Sequence, residues 1–169
     1  MSVAVYRNHF PLKIGVVVES IQGLREKLSQ IYADRDIIGV DKLSEERIGF
    51  LFSGQDELQF GLGEQIFHHF ESFREAMIEC DKIIADFLHL SILNIMWTPN
   101  QLLTKTIYTQ LALFVLEYSL SCLWKSFGII PSITLGHSIG EYAAACVSDV
   151  FSLRDAIKLV IKRGTLMES

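Results

Sequence analysis

The chain has 169 residues, half of them apolar, with 15 lysines and arginines against 20 aspartates and glutamates, a net charge of −5. That length supports one domain with a proper core, and an acidic balance without a basic cluster argues against a nucleic-acid partner. No apolar run reaches the ~18 residues of a membrane span, and the N-terminus lacks an apolar segment with a cleavage site, so a cytoplasmic protein without a membrane partner is expected.

In chain order, residues 12–18 read as a strand and residues 20–32 as an amphipathic helix. Residues 33–46 are charged and turn-rich, the best linker candidate. Residues 47–52 read as a second strand, a near-continuous apolar run of the kind buried on both faces. Ser53-Gly54-Gln55-Asp56 then turns into a helix whose apolar positions Ile66, Phe70, Phe73, Met77 and Cys80 keep the i, i+3/i+4 spacing. Another helical stretch covers 83–88, and a shorter one ends near Trp97-Thr98-Pro99. Residues 108–124 are apolar all round apart from Glu117 and a few small polar residues, the pattern of a helix buried in a core. A short strand over 129–135, a helix over 141–147 and a last helix over 153–167 complete the chain. Ser152-Leu153-Arg154-Asp155 fits a capping box for that last helix. Strands alternating with helices predict an α/β architecture with a parallel sheet. Cys80, Cys122 and Cys146 have neither metal-ligand spacing nor even pairing, and read as buried thiols.

The richest stretch is Gly136-His137-Ser138-Ile139-Gly140, between the short strand and the helix after it. Two glycines let the backbone turn sharply and let neighbouring segments approach, which lifts the serine hydroxyl clear of the sheet. The helix beginning there aims free N–H groups and its positive end at a developing oxyanion. Ser138 is therefore the candidate nucleophile.

Together with Phe50-Leu51-Phe52-Ser53-Gly54-Gln55, Phe60-Gly61-Leu62-Gly63 and Arg163, this turn resembles the acyltransferase domain of modular polyketide synthases and the malonyl-CoA:acyl carrier protein transacylases. The matching blocks are residues 48–63, 108–128 and 136–167, so the likeness covers nearly the whole chain. It implies that residues 1–46 are the end of a ketosynthase–acyltransferase linker, and that 47–169 are the N-terminal part of the acyltransferase's large subdomain. It also assigns roles. Ser138 would attack the thioester of malonyl-CoA or a related extender, giving an acyl-enzyme. The backbone N–H groups of Gln55 and Ile139 would form the oxyanion hole. Arg163 would hold the free carboxylate, which a guanidinium grips bidentately and an acetyl group lacks. The acyl group would pass to the phosphopantetheine thiol of an acyl carrier protein, with no metal and no bound cofactor. In the family, a branched or aliphatic residue after the serine tends to accompany malonyl, and glutamine methylmalonyl, so Ile139 points toward malonyl. His137 would be structural, and His68 and His69 ordinary surface residues.

The sequence also departs from the family. The family's catalytic histidine lies well downstream of the serine, beyond Ser169, as does the small subdomain. The expectation is a fragment inactive alone, since losing a triad partner costs orders of magnitude. Asp56, Glu57 and Leu58 replace the usual Gly-Ser-Gln after Gln55, and Ser53 and Leu111 each replace a common proline. Two other readings stay open: a non-catalytic docking or complementation piece that needs a second chain, or an unrelated serine esterase of the α/β-hydrolase kind. The esterase shares the serine turn but leaves the Gln55 and Arg163 spacing unexplained.

Overall fold

A computed structural model describes residues 16–34, 47–55 and 58–168. The chain divides into two compact units, Met1–Glu46 and Arg47–Ser169. In the first, helix α1 (Ile21–Asp34) starts where the Ser20 hydroxyl accepts the Gly23 N–H at 3.0 Å, a serine N-cap. Of the strand expected over 12–18, residues Val16, Val17 and Val18 have no regular structure, and the rest lies outside the described residues. The linker expected over 33–46 begins inside α1 and otherwise lies outside them.

The second unit is an α/β arrangement. Strands β1 (Gly49–Phe52) and β2 (Ile133–Gly136) pair in parallel, with Leu51 opposite Leu135 and Phe52 opposite Gly136. Around them lie α2 (Glu64–His69), α3 (Glu71–Leu88), α4 (Ile92–Trp97), a 3₁₀ turn (Leu102–Thr104), α5 (Thr106–Ser126), α6 (Gly140–Val147) and α7 (Leu153–Glu168). A parallel pair needs a long crossover between its strands, and everything from α2 to α5 forms that crossover.

Helix α5 is the hub, packed against α3, α4, α6 and α7. Its residues from Thr109 to Leu116 are buried without a break, Phe114 and Val115 completely. Twenty-one residues of such a helix are long and apolar enough to cross a bilayer, but here most of that length is enclosed by its neighbours, as expected of an all-round apolar core helix. Its N-cap residue, Lys105, makes no side-chain cap bond; instead the Glu168 carboxylate from the end of α7 accepts the Ile107 N–H at 3.1 Å.

Four expectations change. The strand at β1 is not buried on both faces: Leu51 is 79 % exposed, and Ile133 and Leu135 beside it are 63 % exposed. Helices cover only the Phe50 and Phe52 side among the described residues, so the outward residues of both strands stay in solvent. The helix expected to run through Phe70 instead breaks there, because Phe70 adopts extended backbone (φ −122°, ψ 118°) and meets the Phe127 ring edge-on at 5.9 Å. Beyond it, α3 runs without interruption through Ile83, so the separate helix expected over 83–88 is its last turns. Finally, the strand expected over 129–135 is confined to four residues, shifted to end at Gly136.

The capping box at Ser152 forms in altered shape. The Ser152 hydroxyl accepts the Asp155 N–H at 3.1 Å and donates to the Asp155 carboxylate at 2.6 Å. Aspartate is one methylene shorter than the glutamate that normally reaches back to the cap's own N–H.

Candidate active site

The serine turn is built by close approach of backbone to backbone. A Cβ on Gly140 would lie 2.5 Å from the carbonyl oxygens of both Phe52 and Ser53, and one on Gly136 would strike the Glu141 backbone. Both glycines are therefore required for α6 to start directly against the end of β1. Between them Ser138 takes φ 55°, a left-handed backbone that non-glycine residues rarely adopt. A half-buried serine strained in this way, where strand turns to helix, has the backbone geometry of a nucleophile elbow. Ile139 follows, fully buried at the N-cap of α6.

Arg163 reaches the same point from α7. Its Nη2 donates to Ser138 Oγ at 3.0 Å, and its guanidinium carbon stands 5.9 Å from the centre of the Tyr142 ring, within cation–π range. The second terminal nitrogen, Nη1, is buried and has no partner among the described residues. A buried cationic donor left unpaired is costly, and a carboxylate of a bound ligand is the group that would satisfy it. The guanidinium polarises the serine hydroxyl but has no lone pair to take its proton. Its position is set by close packing one residue later: a Cβ on Gly164 would lie 2.6 Å from Ile107 Cα of α5.

Gln55 joins the site through a residue the sequence reading did not single out. Gln110, fully buried on α5, donates its amide to Gln55 Oε1 at 2.9 Å and approaches Met167 Sδ on α7 at 3.4 Å. The signal was present in the sequence: Gln110 and Glu117 are polar positions seven residues apart, hence on one face of an otherwise apolar helix. The N–H groups of Gln55 and Ile139 take no acceptor among the described residues. The His137 ring packs against Gly54. His69 is exposed and bonds the Gln65 carbonyl, and His68 stands edge-on to Phe67. Among the described residues Ser138 Oγ has Arg163 as its only side-chain partner, and no group of three or more histidines, cysteines or carboxylates could hold a metal. Asp56 and Glu57 lie outside the described residues.

The three cysteines are free. Burial pushes the Cys80 thiol well up and the Cys146 thiol to about 11, which leaves them unreactive near neutrality.

Comparison with known proteins agrees with this geometry. Residues 49–169 match the family described as "Acyl transferase domain". A PKS-NRPS hybrid synthetase, acdB of Aspergillus candidus, is 36% identical over 173 residues, covering 99% of this chain and 7% of that protein. The chain thus spans less than a tenth of the length of curated relatives such as this one. The acyltransferase domain from the second module of the salinomycin polyketide synthase superposes with a TM-score of 0.78 at 34% identity, over 91% of this chain and 37% of that one. A type II malonyl-transacylase solved in complex with its acyl-carrier protein gives 0.66 at 28% identity, over 73% and 39%. The chain belongs to the acyl transferase domain family shared by polyketide synthases and malonyl-CoA–acyl carrier protein transacylases.

Proposed function

We infer that this chain carries the nucleophile and the acid-recognition half of a malonyl transfer site in polyketide or fatty acid biosynthesis. The observation that carries the reading is the Arg163–Ser138 pair, a charged fork whose Nη2 stands 3.0 Å from a strained serine while its buried Nη1 finds no partner among the described residues. Malonyl-CoA would bind with its carboxylate on Arg163 and its thioester carbonyl over Ser138. Ser138 Oγ bonds to that carbonyl carbon and its proton passes to a base. The oxyanion that forms takes hydrogen bonds from the Gln55 and Ile139 N–H groups. The carbon–sulfur bond breaks, coenzyme A leaves as a thiol after taking the proton, and the malonyl ester remains on Ser138. The phosphopantetheine thiol of an acyl carrier protein then repeats the steps in reverse. No bound cofactor enters, and the free thiols fit a cytoplasmic setting.

The base is supplied from outside the residues that surround Ser138 here. That favours a second form of the reading, in which the unit works with a further segment or chain carrying the base. The Leu51, Ile133 and Leu135 face, left exposed by the described residues, supports it, since parallel sheets are normally covered on both sides. A ketosynthase or a complementing chain is the partner class to try first.

The test is intact-mass measurement of the chain incubated with malonyl-CoA or acetyl-CoA, for wild type and Arg163→Ala. Each charge-assisted hydrogen bond is worth about 1.5–3 kcal/mol, so losing a bidentate pair should lower malonylation by roughly a hundredfold or more. Acetylation should change far less. Equal loss for both substrates would refute carboxylate recognition by Arg163.

A further inference from the structure

A carboxylate in the middle of a core helix needs a reason. Glu117 is 9 % exposed on α5, the most enclosed helix of the unit. Its Oε1 accepts two hydrogen bonds from one residue, the Ser53 N–H at 2.6 Å and the Ser53 hydroxyl at 2.9 Å. Its Oε2 is buried with no partner among the described residues, so burial is not fully compensated by them and the residue costs stability. Ser53 is the first residue after β1 and two before Gln55. One helical face of α5 therefore grips the segment Ser53-Gly54-Gln55 at both ends: Glu117 on the backbone at its start, and Gln110 on the side chain at its finish. Where a proline stands at position 53, as the resemblance makes common, that N–H does not exist. The grip on the Ser53 N–H is thus a property of this chain rather than of every relative.

Resting on the acyl-transfer reading, we propose that Glu117 is a positioning residue for the Gln55 N–H, acting through Ser53. Its acceptor oxygen fixes where the segment leaves β1, and so where the Gln55 N–H points relative to Ser138. The stabilisation forgone at Oε2 is exchanged for a fixed donor, since an oxyanion hole works by being in place before charge develops.

The test combines acylation kinetics with amide hydrogen exchange in Glu117→Leu, Glu117→Gln, Ser53→Pro and the Glu117→Leu/Ser53→Pro double variant. Glu117→Leu should slow acylation of Ser138 by malonyl-CoA about tenfold to a hundredfold with the half-saturating concentration unchanged, because Arg163 still binds substrate. It should also raise exchange at residues 53–55. Glu117→Gln keeps the acceptor and should restore most of the rate. In the Ser53→Pro background, Glu117→Leu should cost much less than in the wild type, because the contact is already gone. Additive losses, or Glu117→Gln as slow as Glu117→Leu, would overturn the proposal. If Glu117→Leu fails to fold, the Ser53→Pro and Glu117→Gln pair still decides it. A wild type that never acylates, even with imidazole added as the base, would count against the acyl-transfer reading, whereas unchanged exchange at 53–55 in every variant would count against the Glu117 role alone.

Discussion

Adding one methyl group at Gly164 sets two opposing effects against each other. In a helix interior, alanine is favoured over glycine by about 1 kcal/mol, from backbone entropy and propensity. Against this, the new Cβ would lie 2.6 Å from Ile107 Cα, 3.0 Å from its Cβ and 3.1 Å from its Cγ1. Ordinary carbon–carbon contact is about 3.5–4.0 Å, so α5 and α7 must separate by roughly 1 Å. The nearest obstacle is backbone and cannot rotate away. Overpacking of this kind costs about 1–3 kcal/mol, which outweighs the propensity gain and leaves a net loss of about 1 kcal/mol. The separation also carries Arg163 with it and stretches its 3.0 Å bond to Ser138 past hydrogen-bond range. A displacement of that size is worth about a hundredfold in rate. Urea unfolding followed by circular dichroism, with equal m-values, measures the first effect, and malonylation measured by intact mass the second. Gly164→Ala as stable as wild type with undiminished acylation would refute the idea that this close helix crossing positions the arginine.

Burial raises the Glu117 carboxyl above its ordinary value, with the Ser53 hydroxyl and N–H pulling the other way. An acid raised in this way binds more protons folded than unfolded, so its contribution to stability is complete below the unfolded pKa and is lost as pH rises through the folded one. Glu117→Gln, which does not titrate, should gain on wild type as pH climbs from acid toward neutrality. Thermal melts across that range check it, and a difference that stays flat or shrinks contradicts it. Because Arg163 is the only side-chain partner of Ser138 Oγ among the described residues, acylation of this chain should rise about tenfold per pH unit and accelerate with added imidazole, which supplies a base. A rate indifferent to both would place a working base within this chain.

The serine turn was legible because Gly136, Ser138 and Gly140 act locally: steric demands at a strand-to-helix junction leave a fixed residue pattern. Arg163 was legible only through resemblance, since a charged residue beside Lys162 on an amphipathic helix reads as a solvated face. Gln110 was missed because its role depends on which helix face meets the Gln55 segment, which is a tertiary fact. The break at Phe70 was hidden for a related reason. The apolar spacing runs straight through it, and its extended backbone accompanies a ring contact with Phe127, 57 positions away in the chain. The double burial expected of β1 failed because an apolar run records what a strand is able to bury, while among the described residues helices lie on one face of this sheet only.

The central claim is that Ser138 is the nucleophile, and peptide mapping after incubation with malonyl-CoA, with Ser138→Ala in parallel, tests it most directly. The account predicts a malonyl adduct confined to the peptide that contains Ser138 and absent from Ser138→Ala. An adduct on another residue, or one that persists in Ser138→Ala, would contradict it.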